Sequence, residues 1–361
     1  MRICARLVLP SAFRRISVVL RRNGVASARY MMRVETLTIE SEALRDNPLG
    51  DPYVRELPVI VPEDAEAHGP LPCVWWLAGY SGIGRSTLQH DPWQEGLPAR
   101  LQRLRDEGRI GPMIVALPDA FTKLGGCQYL SSPAVGDYET YLLKELRDAV
   151  ESRWSIGRHA LAGKSSGGYG ALVNVMKHPD LFSAVACHSG DMHFRLSMAA
   201  GLLPLMDALR DHGGVTRFME RFERATNKRD RRWFGAISML ALAAVYSPDP
   251  SAPMGIGLPF DLETGLLKDD VIERWMAFDP LHMIDEPKML AALRQMRLVF
   301  VDCGTRDEYA LYWGALAFCT KLEAANVPHV FESFDGGHRS TTYRLDESMP
   351  RLYAALTEAL D

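Results

Sequence analysis

His159-Ala160-Leu161-Ala162-Gly163-Lys164-Ser165-Ser166-Gly167-Gly168-Tyr169-Gly170 is the stretch on which the reading of this chain turns. A short strand-like run enters a glycine-bounded turn, and a helical segment leaves it and ends before Pro179. The centre, Gly163 to Gly167, is G-x-S-x-G in the strand–turn–helix context that gives the pattern meaning. Such a turn strains the serine backbone, so the residues two places either side must lack side chains. It also presents the Ser165 hydroxyl at the positive N-terminus of the following helix. A phosphate-binding β–α turn is the alternative, but no ribose-binding acidic residue follows at the right offset.

A serine hydroxyl is a weak nucleophile until an oriented base removes its proton. On this scaffold the chain order is serine, acid, histidine, each on a loop after a strand. The strand-like Leu298–Val301 leads to Asp302-Cys303-Gly304-Thr305-Arg306-Asp307. Asp307 lies past the glycine on the loop and is the expected acid, whereas Asp302 still belongs to the strand. The last strand, Val330–Phe334, runs into Asp335-Gly336-Gly337-His338, whose paired glycines let the loop bend back. His338 is the expected base, with His188 at another strand end its serious rival. The oxyanion needs preorganised N–H donors. The backbones of Ser166 and of Tyr80, in the turn Ala78-Gly79-Tyr80-Ser81-Gly82, are assigned that role.

Outward from these loops, strand-like runs at Val34–Ile39, Leu57–Val61, Val74–Leu77, Met113–Leu117, Ala160–Ala162, Ala184–Cys187, Leu298–Val301 and Val330–Phe334 alternate with helical periodicities. Tyr138, Leu142, Leu146 and Val150 make one helical stripe, as do Leu345, Met349, Leu352, Leu356 and Leu360. A third helix, through Leu311 and Leu322, stops at Asn326 before Pro328. Continuous apolar central strands mark a sheet covered on both faces, so the class is α/β with a mainly parallel sheet. Residues 191–287 break the rhythm, reading as helix and loop (Met192–Arg210, Val215–Arg224, Arg231–Tyr246) without a clear strand. An insertion of this size is expected to form a lid over the cleft. Tyr169 beside the elbow, and Trp233 and Phe234 in the insertion, are the candidate pocket residues.

These residues resemble the "putative esterase" branch of the α/β-hydrolases. That group includes S-formylglutathione hydrolase (esterase D), enterochelin and feruloyl esterases, and the mycolyltransferases. The similarity runs from Asn47-Pro48-Leu49-Gly50 to the C-terminus. It rests on Leu77-Ala78-Gly79-Tyr80, Val115-Ala116-Leu117-Pro118-Asp119, Gly163 to Ala171, Ser189-Gly190, the Gly304-x-x-Asp307 acid and Gly337-His338. The resemblance implies the α/β-hydrolase fold, a Ser165–His338–Asp307 triad, and cleavage of carboxylic esters through an acyl-enzyme without a cofactor. Acyl transfer, thioester cleavage, peptide cleavage and silent ligand binding are the alternatives on one scaffold. Three features depart from the group: Arg339-Ser340-Thr341-Thr342-Tyr343 lacks the common tryptophan, the stretch 191–287 before the acid is longer than in compact members, and the early loop differs from that of S-formylglutathione hydrolase.

The chain has 361 residues, with 47% hydrophobic and 24% charged, ordinary values for a globular protein with a large core. Its net charge is −4, yet residues 1–34 hold eight arginines and no Asp, Glu or Lys. Subtracting those eight charges from −4 leaves −12 on the remainder, which argues against nucleic acid as partner. Residues 1–33 read as a basic, unstructured extension before a catalytic domain at 34–361. It is either a targeting segment or a leader ahead of a natural start at Met31 or Met32. No apolar run approaches the roughly 20 residues of a membrane span. Six scattered cysteines without zinc spacing predict no disulfide framework and no metal, and suit a cytoplasmic location. The expected partner is a small-molecule ester. Nothing in the sequence indicates an oligomeric state.

Overall fold

A computed structural model describes residues 31–358. Eight strands form one sheet: β1 (Met32–Glu40), β2 (Val54–Pro62), β3 (Leu71–Leu77), β4 (Ile114–Ala116), β5 (Ile156–Lys164), β6 (Ala184–His188), β7 (Leu298–Gly304) and β8 (Val330–Phe334). Their order across the sheet is β1-β2-β4-β3-β5-β6-β7-β8. β1 and β2 form an antiparallel pair that joins β4 antiparallel, and β4 to β8 run parallel through β3. All eight strand-like runs of the sequence are strands, and the mainly parallel α/β architecture is as expected. Residues 1–30 of the arginine-rich extension lie outside the described residues. Met32 and Arg33 already belong to β1, where Arg33 pairs with Glu35 at 2.7 Å, so the fold begins ahead of Val34.

The edge strand shows why its sequence alternates. Glu35, Leu37 and Ile39 are half-buried, while Val34, Thr36, Thr38 and Glu40 are exposed, so only one face of β1 is covered. The central strands β3 and β6 are buried at every position, because helices cover both faces. One apolar cluster holds Leu77, Leu161, Tyr169 and the helices of the 191–287 segment. The opposite cluster holds Trp76, Ala160, Ala162 and Phe300 beneath the helices Leu97–Asp106 and Leu345–Thr357.

The stripe Tyr138-Leu142-Leu146-Val150 steps by four residues, slightly more than a regular helical turn. The chain meets it with a π-helical turn, Tyr141–Glu145, between Tyr138–Thr140 and Leu146–Arg153. Widening the turn to i→i+5 bonding keeps a four-residue step on one face, and all four side chains are buried.

Among the described residues, the segment between β6 and β7 holds no strand, only isolated bridges that pair Pro248 with Ile256 and Phe260 with Leu267. The segment carries the helices Phe194–Ser197, Ala199–His212, Val215–Arg224, Arg231–Tyr246, Asp269–Met276 and Pro280–Met283. Asp279 ties it down, accepting from the amides of His193 at 2.9 Å and Phe194 at 2.8 Å. Among the described residues, no helix is long and apolar enough to cross a membrane. Cys73, Cys127, Cys187, Cys303 and Cys319 are buried free thiols.

Candidate active site

Ser165 joins β5 to the helix Ser166–Lys177 with φ 57° and ψ −125°, a conformation that L residues rarely adopt. The flanking glycines explain how the chain tolerates it. A Cβ on Gly163 would meet the Gly167 carbonyl oxygen at 2.4 Å, and one on Gly167 would meet the Leu77 carbonyl oxygen at 2.0 Å. Backbone therefore packs on backbone around the serine, and the amide of Ser165 is pinned to the His188 carbonyl at 2.9 Å.

Asp307 and His338 come together from the loops after β7 and β8. His338 Nδ1 lies 2.7 Å from Asp307 Oδ2, with both residues buried. The other oxygen, Asp307 Oδ1, accepts from the Tyr309 amide at 2.9 Å, and the His338 amide donates to Glu308 Oε2 at 2.7 Å. That last bond holds the Glu308 carboxyl below its ordinary pKa. The Tyr309 ring stands edge-on to the imidazole at 4.8 Å between centroids. Ser165 and His338 line one cavity of about 980 Å³. The Ser165 hydroxyl makes no hydrogen bond to a described residue.

The rival pair has a different setting. His188 Nδ1 meets Asp302 Oδ1 at 2.8 Å, and His188 Nε2 meets the Ser348 hydroxyl at 2.9 Å. Serine, histidine and aspartate are thus hydrogen-bonded in line here. All three are buried, however, and none lines the cavity; Asp302 is further occupied by Arg344 Nε at 2.9 Å.

Tyr80 and Ser166 also line the cavity. The loop of Tyr80 passes against the elbow, since a Cβ on Gly79 would lie 3.4 Å from Ser165 Cβ. The Tyr80 amide has no hydrogen bond to a described residue. Its side chain is anchored by donating to the Leu124 carbonyl at 2.5 Å and packing on Phe234, and burial raises the phenol pKa. Of the three candidate pocket residues, only Phe234 reaches the cavity wall. Tyr169 is fully buried beneath the elbow, where its hydroxyl donates to the Phe278 carbonyl at 2.9 Å. Trp233 packs among His212, Phe218 and Phe222 inside the insertion.

The cavity contains residues that sequence reasoning missed. The Ser166 hydroxyl donates to Gln128 Oε1, whose Nε2 reaches the Tyr246 hydroxyl at 3.1 Å and Asp191 Oδ2 at 3.5 Å. Gln128 and Tyr129 both take positive φ, 54° and 59°, to bring the amide there. Asp191 lines the cavity directly after the Ser189-Gly190 pair, and burial raises its pKa. Neither residue sits in a motif; the only signal was the short glycine loop Gly125-Gly126 ahead of Gln128. Among the described residues, no cluster of three or more His, Cys, Asp or Glu could hold a metal ion.

A family model described as "Putative esterase" matches residues 54–346 of the chain. The chain belongs to that esterase family. It is a carboxylesterase-type hydrolase of the α/β-hydrolase fold. Solved structures similar to this esterase include a ferulic acid esterase at 22% identity and TM-score 0.54, covering 90% of this chain and 100% of that one. FphF, a fluorophosphonate-binding serine hydrolase of Staphylococcus aureus, has 19% identity and TM-score 0.55, with 91% and 100% covered. The S-formylglutathione hydrolase FrmB of the same organism has 18% identity and TM-score 0.52, with 93% and 100% covered. At these identities the likeness shows the fold. No curated protein matches the esterase.

Proposed function

We propose that this esterase hydrolyses small carboxylic esters through an acyl-enzyme formed on Ser165. Ser165 Oγ adds to the ester carbonyl carbon while His338 Nε2 takes the hydroxyl proton. Asp307 holds the opposite ring nitrogen as an N–H donor and stabilises the imidazolium. The amides of Tyr80 and Ser166 accommodate the carbonyl oxygen as it gains negative charge. Collapse breaks the bond to the alcohol oxygen, which leaves with the proton held by His338. Water then repeats the sequence, releasing the carboxylic acid and the free Ser165 hydroxyl.

The observation that carries this reading is the strained Ser165 on a cavity wall shared with a histidine that is fixed by a buried carboxylate. Residues of the 191–287 segment, among them Met198, Phe234, Met239 and Leu242, form an apolar part of that wall. This supports the segment as a cap over the acyl group within one catalytic unit. The buried thiols suit a reducing, cytoplasmic setting.

A fluorophosphonate probe should label the protein at Ser165, and Ser165→Ala should abolish labelling and lower kcat by on the order of 10⁶-fold. An alanine variant that kept turnover within tenfold of the parent would remove the mechanism.

A further inference from the structure

The cavity crosses the rim of the sheet, and its two sides differ in chemistry. The side towards the insertion carries the apolar Met198, Phe234, Met239 and Leu242, with Ser197, Arg229 and Ser238 among them and Gln128 and Asp191 at its base. The other side is reached along β5. Ala160 and Ala162 face the cluster beneath the helices Leu97–Asp106 and Leu345–Thr357, and strand alternation places Lys164 on that same face. Lys164 stands in register with His188, which packs on Trp76 and Phe300 of the same cluster. Trp76, Leu97 and Leu345 of that cluster line the cavity together with Lys164.

Lys164 is half-buried, and burial lowers its pKa, yet it makes no hydrogen bond or ion pair with a described residue. The carboxylates that act on its charge are Asp307, Asp302 and Glu308, with Arg339 opposing them. Each is already engaged: Asp307 by His338, Asp302 by His188 and Arg344, and Glu308 by the His338 amide. Further along the wall, Arg103 holds Glu95 at 2.7 Å. A partly desolvated ammonium group with carboxylates nearby but none in hydrogen-bond contact gains from an anion that meets it directly.

The position of His338 decides which half of the ester lies there. In the hydrolase mechanism above, on which this inference rests, His338 must hand its proton to the leaving oxygen. Arg339, Thr342 and Leu345, which follow His338 in the chain, line the cavity with Lys164. The alcohol therefore departs along the Lys164 side. We infer that Lys164 is a specificity-determining residue selecting esters whose alcohol portion carries a single negative charge, such as a carboxylate. A lone ammonium group, a compact point charge, matches one such charge better than a doubly charged anion.

The test compares phenyl acetate with 4-(carboxymethyl)phenyl acetate, in which a methylene insulates the carboxylate from the leaving oxygen. Lys164→Met should lower kcat/KM for the carboxylated ester by about tenfold, the scale of one charge-assisted contact, and leave phenyl acetate within about twofold. Lys164→Arg, which keeps the charge, should retain most of the preference. Equal losses on both esters, or an unchanged rate on the carboxylated one, would overturn the assignment. Failure of the unmodified protein on both esters would sink the hydrolase reading itself, and this inference with it.

Discussion

Asp307→Asn changes the bond to His338, and a weaker one from the Cys303 thiol, without changing the volume of the side chain. Asp307 uses its two oxygens differently: Oδ1 accepts from the Tyr309 amide at 2.9 Å and Oδ2 faces His338 Nδ1 at 2.7 Å. An asparagine must present its carbonyl oxygen to the Tyr309 N–H, because a buried amide donor left unmatched is costly. Its NH₂ then faces His338 Nδ1, which becomes an acceptor, and the ring proton moves to Nε2. That tautomer cannot take the proton of Ser165. Loss of the base costs about 10⁴-fold in kcat, or about 5.4 kcal/mol at 1.36 kcal/mol per decade. KM should change little, since Asp307 does not line the cavity. Steady-state kinetics on an activated ester would measure both constants, with the rate of fluorophosphonate labelling falling in parallel. Asp302→Asn is the control. It breaks a buried pair with Arg344 and His188, so it should cost about 3 kcal/mol of stability while kcat of the folded fraction stays within tenfold. If Asp302→Asn lost the larger share of kcat, or Asp307→Asn kept a tenth of it, the assignment of acid and base would be wrong.

Other consequences are separable. Gly167→Ala would set a methyl 2.0 Å from the Leu77 carbonyl oxygen, so thermal denaturation should show a loss of about 3 kcal/mol or failure to fold. Phe234→Ala should alter acyl preference in a substrate panel. Trp233→Ala should leave preference alone and lower stability by on the order of 2 kcal/mol, read from denaturant midpoints, because Trp233 is only half-buried. The hydrogen bonds from Arg105, at 2.9 and 2.7 Å, lead in lowering the Asp64 pKa to about 2; burial opposes them and His68 assists. A depressed carboxylate stabilises the fold above its unfolded pKa near 3.8 and loses that effect as pH falls through about 2. Asp64→Asn should therefore melt below the parent at pH 7, with the gap narrowing between pH 4 and pH 2.

The elbow was legible because its constraint is local. A serine between close-packed glycines, with a strand before and a helix after, is written in consecutive residues. The strands were legible for a related reason: a sheet covered on both faces demands unbroken apolar runs such as β3 and β6. Chain order narrowed the acid to Asp302 or Asp307 and the base to His188 or His338. Only the fold shows that each aspartate faces a different histidine, one pair at the cavity and one in the core. Side-chain direction was equally hidden. Tyr169 sits four residues from Ser165 yet points into the core, while Phe234, nearly seventy residues away, reaches the cavity. Gln128 in the loop after β4, Asp191 in the loop after β6 and Lys164 at the end of β5 line one cavity, and no spacing along the chain encodes that. Periodicity reports which face of an element is apolar. Which polar groups share a cavity depends on how the loops at the sheet rim pack against one another, and that is settled only when distant segments close over the same space.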